Sequence, residues 1–144
     1  MQVKIEMAPE HTPPRAVIYT DRLTPEIQRV LDVLGAKNSP ILARHNDRTL
    51  LLKPQDIYMV RVENGDTMLF TKQEKFSSRK RLYELLERLG EGFMQISKSS
   101  VVNLSFIQSV EVSFGGSILL KMKNGLSDYV SRKYLQDFKK YLGL

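Results

Sequence analysis

The chain has 144 residues, of which 42% are hydrophobic and 26% charged, and its formal net charge is +6. This composition is ordinary for a soluble globular protein. The absence of cysteine excludes disulfides, thiolate chemistry and cysteine zinc sites. No run approaches the roughly 20 apolar residues of a membrane-spanning helix, and the N-terminus lacks the apolar core of a signal peptide. We therefore expect a cytoplasmic protein made of one domain and a short appendage.

The positive charge is concentrated after residue 40. Residues 1–40 hold five basic and five acidic side chains, whereas residues 41–144 hold 17 basic against 11 acidic ones. An excess of this size favours a polyanionic partner through local attraction. Charge alone does not decide the matter, because many basic domains bind nothing anionic.

Residues 1–38 predict a small β-β-α appendage. Apolar and polar residues alternate over 3–7, and residues 16–19 are typical of a second strand. Thr24-Pro25-Glu26 is a good helix start, with Gly35 placed to end the helix. A unit this small cannot bury a core alone, so we expect it to pack on the main domain or on a second copy of itself. The boundary is expected at residues 38–40.

Residues 41–144 predict a mostly β domain with short helices, of α+β class. One amphipathic helix is expected from about residue 78 to 89, ended by Gly90, and a final helix begins at Ser131. Hairpin turns are expected at Asn64-Gly65, Gly115-Gly116 and Asn124-Gly125. Strands are expected at residues 41–44, 49–53, 57–63, 67–71, around 76, and at 94–97, 107–114, 117–123 and 126–130.

The sequence offers no acceptable active site. Residues 77–80 match the S-x-x-K pattern of penicillin-binding enzymes, but the companion motifs are absent and helix capping by Ser77 or Ser78 explains the serines better. His11 and His45 have no partner at metal-ligand spacing. No glycine-rich phosphate loop occurs. We predict a protein that is not an enzyme and has no cofactor, no metal and no small-molecule substrate.

Two helix starts carry cations where the helix dipole favours acids. Arg132 and Lys133 lie in the first turn of the final helix, where a cation costs roughly 0.3–1 kcal/mol. A bound phosphate would offset this cost, and Arg132 could instead read guanine in a major groove; the alternative is that both side chains extend into water. Arg79, Lys80 and Arg81 pose the same choice at the internal helix, between a phosphate-facing patch and a solvated face.

A polar cluster separates Ile96 from Val101. A hairpin or sharp bend explains the Ser97-Lys98-Ser99-Ser100 segment without any ligand. Asn103 follows an apolar pair, and an asparagine there more often bonds local backbone in a turn than it contacts DNA.

Taken in chain order, these motifs resemble a LytTR-type bacterial DNA-binding domain. The resemblance covers about residues 41–144, and its fragments would be weak signals one at a time. The motifs that carry it are Asp56-Ile57-Tyr58-Met59-Val60, the leucines of residues 82–89, the segment from Phe93 to Asn103, Asn124-Gly125 and Val130-Ser131-Arg132.

The resemblance implies an elongated set of small antiparallel sheets whose loops enter successive major grooves and bend the duplex. Ser97 stands where the family often has histidine, and Met94-Gln95 replaces a frequent aromatic-arginine pair, so the resemblance does not fix which bases are read. The residues expected to contact DNA are Asn64, Gly65, Asp66, Ser97, Lys98, Ser99, Ser100, Asn103, Arg132 and Lys133, with phosphate contacts from Arg79, Lys80 and Arg81.

We therefore expect a sequence-specific transcriptional regulator whose partner is double-stranded DNA. The chain leaves no room for the receiver domain that many family members carry, and it resembles a subgroup of stand-alone regulators often paired with a small membrane protein. Control by such a protein or by homodimerisation is expected. The competing hypothesis is a protein-interaction or anti-activator module with weak or no DNA binding. RNA binding is disfavoured, because the strands carry no aromatic ladder.

Overall fold

The computed structural model describes residues 1–34 and 40–144, so the predicted helix end at Gly35 and the boundary at residues 38–39 lie outside the described residues. Within these ranges no helix is long and apolar enough to cross a membrane. The helices are α1 Pro25–Val33, α2 Leu82–Leu89 and α3 Arg132–Leu142. The strands are β1 Ile41–His45, β2 Arg48–Leu52, β3 Met59–Glu63, β4 Asp66–Phe70, β5 Lys75–Ser78, β6 Phe93–Ser97, β7 Ser100–Asn103, β8 Ile107–Val112, β9 Ile118–Met122 and β10 Ser127–Val130.

The strands form two antiparallel sheets. One has seven strands in the order β2-β1-β5-β4-β3-β7-β6, and the other has three strands in the order β10-β9-β8. The predicted mostly β fold with short helices is confirmed. The predicted hairpin turns at Asn64-Gly65, Gly115-Gly116 and Asn124-Gly125 all connect neighbouring strands.

Successive residues of the central strands point to opposite faces of the large sheet, and each face has its own core. Val60 and Val101 lie in one core together with Leu85 of α2. The adjacent residues Met59 and Val102 lie in a second core, which also contains side chains of the three-stranded sheet and of α3. All five of these side chains have 0% exposure. Burying an aliphatic side chain of this size contributes roughly 1.5–3 kcal/mol, so the two layers hold the central strands from both sides.

Residues 1–24 contain no strand, which corrects the predicted β-β-α appendage. Val3, Ile5 and Met7 alternate as predicted, but they are 81%, 80% and 90% exposed. Alternation supplies one apolar edge only, and a strand also needs a neighbouring strand for its backbone hydrogen bonds. The pattern over residues 3–7 finds no such neighbour in the isolated chain.

Helix α1 forms where the sequence predicts it. Thr24 acts as its cap, because its Oγ1 accepts a hydrogen bond from the backbone amide of Ile27 at 3.3 Å. Ile27 is buried, whereas Val33 is 83% exposed. One part of the apolar face of α1 is therefore covered and another part is open to solvent.

Helix α2 begins at Leu82, later than predicted, because β5 continues through Ser78. Ser77 and Ser78 pair with β4 in the sheet and do not cap a helix. The prediction that either serine caps α2 is wrong. Because Ser77 and Ser78 pair with β4 through their backbone, they belong to the sheet and cannot begin the helix.

The predicted cluster of three cations in the first turn of α2 is also wrong. Arg79 and Lys80 precede the helix, and Arg81 is its N-cap residue. The first turn instead contains Glu84, whose carboxylate accepts a hydrogen bond from the backbone amide of Arg81 at 3.3 Å. An acid therefore occupies the position that the helix dipole favours.

Candidate nucleic-acid interface

Two predicted DNA-contacting turns lie side by side at one end of the seven-stranded sheet. Strands β3 and β4 are joined at Asn64-Gly65. The backbone amide of Val62, close to that turn, donates to the carbonyl of Ser99 in the β6–β7 turn at 2.8 Å. With about 4.8 Å between strands, the centres of the two turns are about 10 Å apart. This spacing is comparable to the ~12 Å width of a major groove, so one duplex can contact both turns.

The start of α3 joins the same end. The backbone amide of Ser131 donates to the carbonyl of Ile96 at 2.8 Å, which holds the following Arg132 beside the end of β6. Lys98 is two residues beyond Ile96, or about 7 Å along an extended chain. Lys98 and Arg132 therefore lie on the same side of the molecule, close enough to act on one ligand.

The segment before α2 completes this end. Ser78 pairs with Thr67, so the chain leaves β5 next to the β3–β4 turn. From β5 to β6 the sheet crosses four strand spacings, or about 19 Å. We call the cations at this end the basic end; they are Arg79, Lys80, Arg81, Lys98, Arg132 and Lys133.

Few acids neutralise the basic end. Lys80 forms an ion pair with Glu84 at 3.8 Å. Over residues 1–34 and 40–144, none of the other five cations has an ion pair. Lys133 lies over the ring of Tyr134 at 5.7 Å, and Arg132 and Lys133 are both exposed. The basic end is therefore a largely uncompensated positive surface, as an anionic ligand requires.

Two serines shape the turn that presents Lys98. The Ser97 hydroxyl accepts a hydrogen bond from the backbone amide of Ser99 at 3.2 Å, and the two hydroxyls lie 3.4 Å apart. The Gln95 side chain donates to the carbonyl of Ser97 at 3.0 Å. This confirms the hairpin predicted for the polar segment. The serines hold the turn with local bonds, and the exposed Lys98 ammonium extends from it.

The β3–β4 turn presents groups that can bond to base edges. Asn64 and Gly65 have φ of 52° and 82°, the left-handed conformation that an Asn-Gly turn provides. Asn64, Gly65 and Asp66 are all exposed. Asparagine pairs with adenine and a carboxylate accepts from the amino group of cytosine. This turn therefore carries side chains that are able to bond to base edges.

Ser100 is not available to DNA, which corrects its predicted contact. Its side chain is fully buried, and its hydroxyl donates to Oδ2 of Asp128 at 2.6 Å. Asp128 also lies 3.6 Å from the guanidinium of Arg61. Because Asp128 belongs to the three-stranded sheet and Ser100 to the large one, this cluster joins the two sheets directly behind the Lys98 turn.

Asn103 is also corrected, from a DNA contact to a structural residue. It is 5% exposed, and its Nδ2 donates to the carbonyl of Ile57 at 2.9 Å. Its Oδ1 accepts from the backbone amide of Ser105 at 3.1 Å. The strand register places Asn103 at the end of the sheet opposite the Lys98 turn. The backbone-bonding role that the sequence left open is the one observed.

The sequence did not predict the contacts of Arg61, which lies behind the basic end. Arg61 contacts Glu63 at 3.4 Å as well as Asp128, and its guanidinium lies 5.2 Å from the ring centre of Phe70. Glu63 follows Arg61 by two residues, so both side chains lie on the same face of the strand, and the sequence could have predicted this ion pair. No local pattern indicates the contact with Asp128, because that residue lies in the other sheet.

Comparison with known proteins identifies the same segment of the chain. The LytTr DNA-binding domain family matches residues 47–143. A sensory transduction protein LytR of Streptococcus agalactiae is 35% identical over 98 residues, 67% of this chain and 40% of that protein. A Staphylococcus aureus protein named "uncharacterized HTH-type transcriptional regulator" is 27% identical over 129 residues, 88% of each chain. A solved LytTr DNA-binding domain from Bacillus cereus has a TM-score of 0.69 at 21% identity, covering 74% of this chain and 98% of that domain.

The two-sheet scaffold and its basic end define a β-type domain suited to an anionic ligand, and the solved domain has the same fold. The chain belongs to the LytTr DNA-binding domain family, which confirms the resemblance found in the sequence. It spans 40% of the length of the Streptococcus relative and 88% of the Staphylococcus one. Although the latter is named HTH-type, the described residues of this chain contain no helix-turn-helix, because five strands separate α2 from α3.

Proposed function

We propose that this protein is a transcriptional regulator that binds double-stranded DNA sequence-specifically through the basic end. The observation that carries the proposal is the placement of Lys98 and Arg132 on one side of the molecule, exposed and without an ion pair in the described residues. The family description as a DNA-binding domain supports it. The proposal involves no catalytic step, and a chromosomal target places the protein in the cytoplasm.

The residues of the basic end divide into two roles. Lys98 lies on the β6–β7 turn and Arg132 lies beside the end of β6, so they are proposed to reach base edges together; arginine binds guanine through two hydrogen bonds. Lys133, Arg79 and Arg81 lie to either side and are proposed to hold phosphates, which fix the register of the protein on the duplex. The start of α3 adds a positive helix dipole at the same place.

Selection from a random duplex pool, followed by gel shifts at two salt concentrations, tests the proposal. Each phosphate contact contributes about −0.9 to the slope of log K against log salt, so the three proposed phosphate contacts predict a slope of about −3. Recovered duplexes should share a motif and bind more tightly than random DNA. Failure to bind any duplex at low salt, or binding without a salt slope, contradicts the proposal.

A second surface supports a protein partner. Leu42 pairs with Leu51 across the β1–β2 hairpin, and the two side chains are 57% and 67% exposed. They lie on the opposite side of the sheet from Ile41 and Ala43, which pack in the α2 core. We propose that a second copy of the chain covers this apolar pair, forming a homodimer; a small membrane-protein regulator is the competing occupant.

The dimer proposal is tested by sedimentation at micromolar concentration. The unaltered chain should sediment as a dimer, and Leu51→Asp should convert it to a folded monomer. Ser105→Asp, an exposed position outside β1 and β2, serves as the matched charge control. A monomeric unaltered chain contradicts the homodimer but leaves DNA binding untouched.

A further inference from the structure

The tip of the β8–β9 hairpin carries the most exposed large apolar side chain in the described residues. Phe114 has a relative exposure of 110%. Single exposed apolar residues are common on protein surfaces and need no explanation by themselves. A role for Phe114 must therefore be argued from its position and from the residues around it.

The hairpin tip is held in shape by its own hydrogen bonds. The backbone amide of Ser113 donates to the carbonyl of Ser117 at 2.8 Å, and the two serine hydroxyls bond to each other. The amide of Gly116 donates to the carbonyl of Ser113 at 2.9 Å. Gly115 and Gly116 add no side chain, so Phe114 stands alone on a narrow, ordered turn.

The strand register places this tip beside the start of α3. Ile118 pairs with Val112 on one side and with Val130 on the other. The tip and the start of α3 therefore extend past the same end of the three-stranded sheet. Two strand spacings separate them, so Phe114 lies about 10 Å from Arg132.

We propose that Phe114 inserts between two stacked base pairs next to the Arg132 contact and kinks the duplex. The inference rests on the proposed DNA binding. An apolar side chain inserted in this way partly unstacks a base step, and the bent duplex then contacts more protein surface. The Phe114 ring has no hydrogen-bonding group, so its interaction with DNA must come from stacking and apolar contact.

This insertion gives Phe114 a part in sequence selection. Pyrimidine–purine steps such as TA and CA unstack more easily than other steps. Phe114 therefore favours such a step at one fixed position of the target, although no hydrogen bond reads it. Duplexes selected by the full chain should be enriched in TA or CA at that position, and duplexes selected by the Phe114→Ala chain should not.

The direct test uses a 30-base-pair duplex selected by the unaltered chain. It carries a fluorescence transfer pair at its ends to report bending, or 2-aminopurine at one adenine after another to report unstacking. Phe114→Ala should abolish the 2-aminopurine signal, reduce the bend and lower affinity about 10-fold, since lost ring stacking is partly offset by restored base stacking. Phe114→Leu, which keeps an apolar wedge, should retain most of the bend.

Tyr19→Ala is the matched control, because Tyr19 is an aromatic residue that is 92% exposed outside the two-sheet domain. It should bind and bend the duplex as the unaltered chain does. Unchanged bending by Phe114→Ala, with binding intact, overturns the insertion alone and leaves the proposed function standing. Absence of any duplex binding by the unaltered chain overturns both.

Discussion

The two ends of the seven-stranded sheet use the same kinds of residue in different ways. At the basic end, Asn64 and Lys98 are exposed on turns. At the opposite end, Asn103 and Asn124 each donate Nδ2 to a backbone carbonyl at 2.9 Å. An amide or cation at a strand end is therefore available to a ligand only where the second layer of the structure leaves it uncovered.

The two ends of the sheet also differ in their charged side chains. At the opposite end, a shallow cavity is lined by carboxylates as well as by a lysine, with Asp56 and Glu74 near Lys72. Mixed signs there do not favour a polyanion. At the basic end five of the six cations have no ion pair in the described residues, so the comparison predicts that only this end responds to DNA.

The largest expected effect comes from the opposite end. Asn103→Ala should lower the free energy of unfolding by about 2–3 kcal/mol, because it leaves the buried carbonyl of Ile57 and the amide of Ser105 without partners. Asn64→Gly, at a turn position with positive φ, should change it by no more than about 0.5 kcal/mol. Urea unfolding measures both. Equal losses of unfolding free energy would contradict the view that burial makes Asn103 structural and leaves Asn64 free for a ligand.

Next in size is Arg132→Ala at the basic end. It should weaken binding to a selected duplex by about 1–3 kcal/mol and relax the preference at one base pair, with little change in stability. Gel shifts on selected and random duplexes measure the difference. Equal losses on both would remove the base-reading role and leave Arg132 a phosphate contact.

A smaller effect is expected from the cluster behind the Lys98 turn. Asp128→Asn keeps an acceptor for the Ser100 hydroxyl but removes the charge that faces Arg61. The pair is partly solvent-exposed, so the loss of stability should be about 1 kcal/mol. If the cluster positions the turn, DNA affinity should fall by a few-fold as well; unchanged affinity would restrict it to joining the sheets.

The hairpins could be predicted from local sequence, whereas parts of the strand pattern could not. Asn64-Gly65 forms the predicted turn because left-handed φ values suit those two residues. Strand β7, Ser100–Asn103, gives no alternating signal, because all four of its residues are buried. Residues 3–7 do alternate, yet form no strand. Alternation of apolar and polar residues indicates a strand with one buried face. It does not show whether a neighbouring strand is present, and it does not detect a strand that is buried on both faces.

Two site residues were misassigned for a related reason. Ser100 follows an exposed turn in sequence, but Asp128 of the other sheet covers it. Asn103 follows the same segment, and a carbonyl 46 residues away bonds to it. The convergence of Lys98 and Arg132 came from the family resemblance, since no local pattern brings together two strand-flanking segments of different sheets. The sequence, read with the family resemblance, thus predicted that Lys98 and Arg132 lie on one side of the molecule. It did not predict which of the nearby polar residues are buried.

The smallest expected effect separates the two ends by salt dependence alone. Lys133→Ala should weaken binding to selected and random duplexes alike, and it should make the slope of log K against log salt less negative by about 1, the contribution of one phosphate contact. Lys72→Ala, which removes an exposed lysine at the opposite end, should leave the slope unchanged. Because both variants lower the net charge equally, a shared change would trace to total charge and not to the basic end. A change in Lys133→Ala alone would require a phosphate at the start of α3.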